Sequence, residues 1–134
     1  MSQDLTLSQV ESTLLLNRGA CFGVRVTGEK GYAVISQKAE SSKLDLETLH
    51  WDILPALASL RNKSFAEEEI SYLKDITDLE KQVDSGVFQV GFLVRPSTTD
   101  EVMRTAEAGK TMPHKSTFFF PKIPSGLVVN LFDE

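Results

Sequence analysis

Cysteine occurs once in this 134-residue chain, as Cys21, and histidine twice, as His50 and His114. A lone cysteine excludes an internal disulfide framework and any all-cysteine metal or iron–sulfur site within one chain. It points to a reducing compartment, and the cytoplasm is the expected location. Two histidines far apart in sequence, with no HExxH arrangement and no neighbouring cysteine, offer no zinc-ligand spacing, so no metal site is expected. No run approaches the roughly 18 apolar residues of a membrane span. The opening Met1-Ser2-Gln3-Asp4 lacks the basic-then-apolar order of a secretory signal, and no membrane partner is expected. A basic surplus is also missing, with 14 Lys and Arg against 19 Asp and Glu for a net charge of -5. Nucleic-acid binding needs a cationic excess to displace counterions from phosphates, so no nucleic-acid partner is expected either. Internal repeats, low-complexity tracts and Pro/Gly/Ser linkers are absent, and no domain boundary is placed within 1–134.

What is present is ordinary globular material, with 41% hydrophobic and 25% charged residues. A chain of this size buries roughly two-thirds of the surface its unfolded form exposes, enough for one core without staples. Ser8 followed by Glu11 has the form of a capping box, and Val10, Leu14 and Leu15 before Gly19 read as a short amphipathic helix. Phe22, Val24 and Val26 alternate at period two, and Thr27-Gly28-Glu29-Lys30-Gly31 separates them from Tyr32 to Ser36, which predicts a β-hairpin. Asp45 is the expected N-cap of a helix presenting Leu46, Leu49 and Ile53, and Pro55 should divide it into two pieces. Ile70 to Leu73 reads as a short strand. Asp75 then caps a helix with Ile76, Leu79 and Val83 on one face, stopped at Gly86. Val87 to Val94 is apolar almost throughout, the pattern of a strand covered on both faces, and is the candidate central strand. Ser97 or Thr98 caps a helix turning Val102, Met103 and Ala106 inward and ending at Gly109, which suggests a parallel crossover to a last strand, Leu127 to Phe132. The expected fold is α+β: one domain, a mixed sheet with an N-terminal hairpin, and helices packed on it.

Charge is distributed unevenly. Residues 1–94 carry nine Lys and Arg against fourteen Asp and Glu, whereas residues 95–122 carry five (Arg95, Arg104, Lys110, Lys115, Lys122) against three. Within that basic stretch, Gly109-Lys110-Thr111 invites comparison with a phosphate-binding loop. The motif needs a glycine where Arg104 stands, and it opens a helix, whereas these residues follow one; the tripeptide reads as helix capping. Lys115-Ser116-Thr117 is richer. An ammonium and two hydroxyls beside backbone amides form the donor inventory of an anion site, with Lys122 in support and Arg95 as a second cation near a strand's C-terminal end. The alternative is structural: Pro113 and Pro121 bracket an edge strand whose Phe118-Phe119-Phe120 enters the core, while Ser116 and Thr117 satisfy turn amides. Cys21 reads as a small core residue, and His50 beside Trp51 as a core-edge histidine. No Ser-His-Asp, Cys-His or paired-carboxylate arrangement follows from the spacing, so no catalytic residue is assigned.

Glu101-Val102-Met103, Ala106, Gly109, Met112-Pro113, Lys115-Ser116-Thr117-Phe118-Phe119, Pro121-Lys122 and Ser125-Gly126-Leu127 together resemble the C-terminal signature of a widespread prokaryotic family known as a domain of unknown function. Asp84-Ser85-Gly86, Phe92-Leu93-Val94-Arg95-Pro96-Ser97, Leu44-Asp45 and Leu49-His50 extend the likeness over most of residues 40–130. Members look related to the ParB, sulfiredoxin and free-serine-kinase-like superfamily, are considerably longer, and carry an upstream Asp-Gly-His-His-Arg motif. No His-His pair occurs in this sequence. The resemblance therefore implies a C-terminal portion of such a protein, with Met1 either a native start or a boundary. It implies no cofactor held by this chain, with a nucleotide used only by the full-length protein. Two functions remain open at this stage. One is an anion- or phosphate-binding part of a kinase-like or nucleotide-using protein, taking a small anionic ligand. The other is a non-catalytic interaction or scaffold domain packing against the upstream domain or a second copy of itself.

Overall fold

The computed structural model describes residues 4–37, 44–60 and 69–112. The first element is helix α1, Leu7–Leu16. Its capping box lies two residues earlier than Ser8 and Glu11 suggested: the Thr6 hydroxyl accepts from the Gln9 amide, and the Gln9 side-chain oxygen accepts from the Thr6 amide. Strands β1, Cys21–Val26, and β2, Ala33–Ser36, then form the expected hairpin. Pairing is antiparallel, with Phe22 opposite Ile35 and Val24 opposite Ala33. An outlying bridge between Leu5 and Tyr32 ties the segment before α1 to the hairpin's second arm.

Residues 45–60 run as one helical stretch in three parts: α2, Asp45–Thr48, a π-helical turn, Leu49–Ile53, and α3, Leu54–Leu60. Pro55 does not divide it. The Leu54 amide donates to the Leu49 carbonyl, five residues back, and this wider turn makes room for the proline ring, which would otherwise meet the carbonyl four residues before it. Asp45 is the first helical residue rather than the cap; Glu47 instead reaches back to accept from the Leu44 amide at 3.0 Å. The expected strand at 70–73 does not form a ladder. Tyr72 and Leu73 are both exposed, leaving that segment no buried alternate face to hold it against a sheet.

Helix α4, Ile76–Asp84, begins at the expected cap, with the Asp75 carboxylate accepting from the Thr77 amide. Strand β3, Val90–Val94, follows, and then helix α5, Thr99–Glu107, capped by a Thr98–Glu101 box. Gly86 and Gly109 both adopt positive φ just beyond their helices, as anticipated.

The described strands form a three-stranded antiparallel sheet in the order β2-β1-β3. Among the described strands, β1 of the hairpin holds the middle. The apolar run at 87–94 suggested coverage of both faces, yet burial along β3 alternates, with Gly91 and Leu93 buried and Val90, Phe92 and Val94 only partly so. The parallel partner anticipated for β3, Leu127 to Phe132, lies outside the described residues. On α5, Val102 is half-buried while Met103 and Ala106 are exposed, so the inward face predicted for that helix is narrower than expected.

One face of the sheet is shaped by close approach. A Cβ on Gly23 would fall 2.5 Å from Val10 of α1, and one on Gly91 would fall 2.7 Å from Leu79 of α4. These two glycines let both helices press onto the strands. Val10, Leu14, Cys21, Tyr32 and Leu93 form the resulting core, with Ile76 and Leu79 packed against it. The chain is thus an α+β domain.

Candidate docking cleft

At the C-terminal end of β3 the chain turns through Arg95 and Pro96 into the cap of α5. Opposite this turn stand the last turn of α1 and the start of α2. Between them lies a cleft of about 210 Å³. Leu15, Leu44, Leu46, Val94 and Pro96 supply apolar walls, and Asp45, Arg95, Ser97, Thr98 and Glu101 supply the polar end.

Arg95 organises this corner. Its Nε and Nη2 atoms each donate at 2.7 Å to a different oxygen of Asp45, a bidentate pair. The remaining donors reach main-chain carbonyls at the end of α1: Nη1 to Leu14 and Asn17, and Nη2 to Gly19 at 3.0 Å. A cation on the last carbonyls of a helix satisfies groups that have no intrahelical partner and complements the dipole. Both side chains are sheltered, at 22% exposure for Arg95 and 13% for Asp45. The Asp45 hydrogen bond holds the guanidinium still more firmly in its charged form than usual.

Nearby Cys21 is fully buried. Burial pushes its thiol upward, with Arg95 opposing and Asp45 adding to the shift, so it stays a protonated core residue in line with the sequence reading.

Of the predicted anion-binding residues, Lys115, Ser116, Thr117 and Lys122 lie outside the described residues. Arg95 sits where expected, near the C-terminal end of a strand, but its charge is matched by Asp45 and its donors serve the fold. Among the described residues, the cleft lining carries two carboxylates against this one guanidinium. Thr98, whose hydroxyl belongs to the capping box, accepts from the Glu101 amide at 3.2 Å. No family model, curated protein or solved structure matches this chain.

Two features of the corner escaped the sequence reading. Asp45 as the partner of Arg95 carries no local signal, because the two are 50 residues apart. The exposed leucines did leave one: Leu14-Leu15-Leu16 on a helix advances about 100° per residue, so three in succession cannot share one buried face. Leu14 enters the core, while Leu15 and Leu16 are 76% and 84% exposed.

Elsewhere, His50 stacks on Tyr72 with ring planes 12° apart, and its Nε2 lies 3.3 Å from the Tyr72 hydroxyl. Trp51, beside it, is 76% exposed. Among the described residues no group of three or more His, Cys, Asp or Glu is placed to hold a metal ion. No helix among them is long and apolar enough to cross a membrane.

Proposed function

We propose that this chain is a non-catalytic interaction domain, the C-terminal portion of a member of the family that residues 40–130 resemble. Its contact surface is the cleft at the end of β3 with the leucines beside it. The observation that carries this reading is the engagement of Arg95. Among the described residues it is the one cation lining the cleft, and it is neutralised by Asp45 and occupied by the carbonyls that close α1. An anion entering there would compete with an internal carboxylate and face Glu101, so the corner favours apolar contact over phosphate recognition. Leu15 and Leu16, solvent-facing at its border, fit the same reading.

The anion-binding alternative then rests on Lys115, Ser116, Thr117 and Lys122 without help from Arg95. An amide-resolved NMR titration with phosphate, ADP, magnesium ATP and free serine separates the two. The interaction reading expects the amides of Val94 to Glu101 to stay in place with every ligand. Saturable shifts in that stretch, abolished by Arg95→Lys, would overturn it.

A further inference from the structure

The cleft and its surroundings carry two complementary halves on one molecule. The first half is the cleft itself, apolar along Leu15, Leu44, Leu46, Val94 and Pro96, with Glu101 at its polar end. Its volume of about 210 Å³ falls below the roughly 300–1,000 Å³ of drug-sized ligand sites, a size suited to one branched aliphatic side chain. Charge at this end is acidic: Asp100 and Glu101 occupy the first turn of α5, and Asp45 is already matched by Arg95. The second half is the adjoining end of α1, where Leu16 projects at 84% exposure and Arg18 follows, also exposed. A leucine with a cation two residues on is what an apolar cleft with an acidic lip accepts.

We infer that a second copy of this chain is the partner, an inference that rests on the interaction reading above. Each protomer inserts Leu16 into the other's cleft and sets Arg18 against the other's Glu101. Leu15, the neighbour of Leu16, lines the cleft, and Arg95 at its polar end holds the carbonyls on either side of Arg18, so the two halves adjoin and the exchange closes reciprocally as a two-fold dimer. Each cleft is complete only with the residues the partner copy contributes. A contact built on one anchor and one ion pair per protomer is small, so the dimer is weak and forms reversibly, in the micromolar range or above.

Sedimentation velocity over a concentration series tests this. Leu16→Ser removes only an exposed side chain, so the fold should survive, and it should weaken association by about tenfold or more. Arg18→Glu and Glu101→Lys should each weaken it by a factor of about three to ten, less so in high salt. An equimolar mixture of those two variants should associate better than either alone. In the mixed dimer the carboxylate introduced by Arg18→Glu on one copy meets the ammonium introduced by Glu101→Lys on the other, while the native Arg18 and Glu101 meet at the second contact.

Glu101 also belongs to the α5 capping box, so Glu101→Gln, which keeps a box-competent side chain, is the control for folding; it should weaken association less than Glu101→Lys. Association undiminished by Leu16→Ser and Arg18→Glu would overturn the exchange while leaving the interaction reading intact. A wild-type chain monomeric at every concentration would overturn it as well. The phosphate titration, which monitors Arg95, decides the broader reading independently.

Discussion

The face of the sheet under α1 and α4 and the corner under α5 are built to different standards. On the first, Val10, Cys21 and Val83 are fully buried, and two glycines bring helix and strand into contact. A second set of links locks α4 to the hairpin from the side. Arg25 grips Asp84 with two bonds of 2.9 Å and lies 5.2 Å from the centre of the Tyr32 ring, while the Tyr32 hydroxyl donates to Glu80 at 2.7 Å. Burial, reinforced by Glu80, pushes the Tyr32 hydroxyl upward, so it remains a donor well into the alkaline range. By contrast, α5 has no buried residue and begins at a capping box. Dense apolar packing makes a frame, whereas a lightly packed helix beside a cleft leaves surface for a partner.

The contrast breaks first at the frame. Leu14, 6% exposed on α1 and part of the core it forms with the sheet, should cost about 2–5 kcal/mol when changed to alanine, read as a lowered urea midpoint with an unchanged slope. A loss below about 1 kcal/mol would show that the sheet is no better packed than the corner.

Arg95→Ala probes the joint between the two regions. It strips Asp45 of its partner and orphans the carbonyls of Asn17 and Gly19, and the expected cost is about 3 kcal/mol by the same assay. A neutral result would remove Arg95 from the architecture and return it to the anion-binding inventory.

Thr98→Ala should cost only about 1 kcal/mol, the ordinary value of an N-cap, with faster hydrogen exchange confined to α5. Exchange spreading into β1 would mean that α5 belongs to the frame after all.

The smallest effect concerns acid. The Arg25 hydrogen bond holds the Asp84 carboxyl below its ordinary value of 3.8. A depressed value means the pair contributes above pH 3.8 and is lost as pH falls through the folded-state value. Asp84→Asn should therefore flatten the fall in stability below about pH 4; an unchanged acid profile would take the pair out of the frame.

Local chemistry made much of this legible. Period-two alternation marked the hairpin, and Asp75, Thr98, Gly86 and Gly109 marked helix ends, because capping and left-handed turns act within four residues of chain. Errors arose where the deciding partner was remote or the face was misjudged. The apolar run around β3 suggested a central strand, yet apolar composition does not say which neighbour a strand finds, and among the described strands β1 of the hairpin lies in the middle. Tyr72 looked like a strand residue until it met His50, 22 positions away. Asp45 looked like a cap until Arg95 claimed its carboxylate. At the cleft, the cation was visible in the sequence and its neutralisation was not.

The π-helical turn at Leu49–Ile53 has a consequence for phase. A wider turn delays every later side chain by about one residue around the helix axis, so Leu57, eight positions after Leu49, falls where a seventh would in an uninterrupted α-helix and stays on the stripe begun by Leu46 and Leu49. Ala58 reaches a buried position from a face that a constant 3.6-residue period would assign elsewhere. Residues 45–60 thus carry two short apolar runs that are out of step in sequence and in line in space, joined by a turn that absorbs the extra residue just before Pro55.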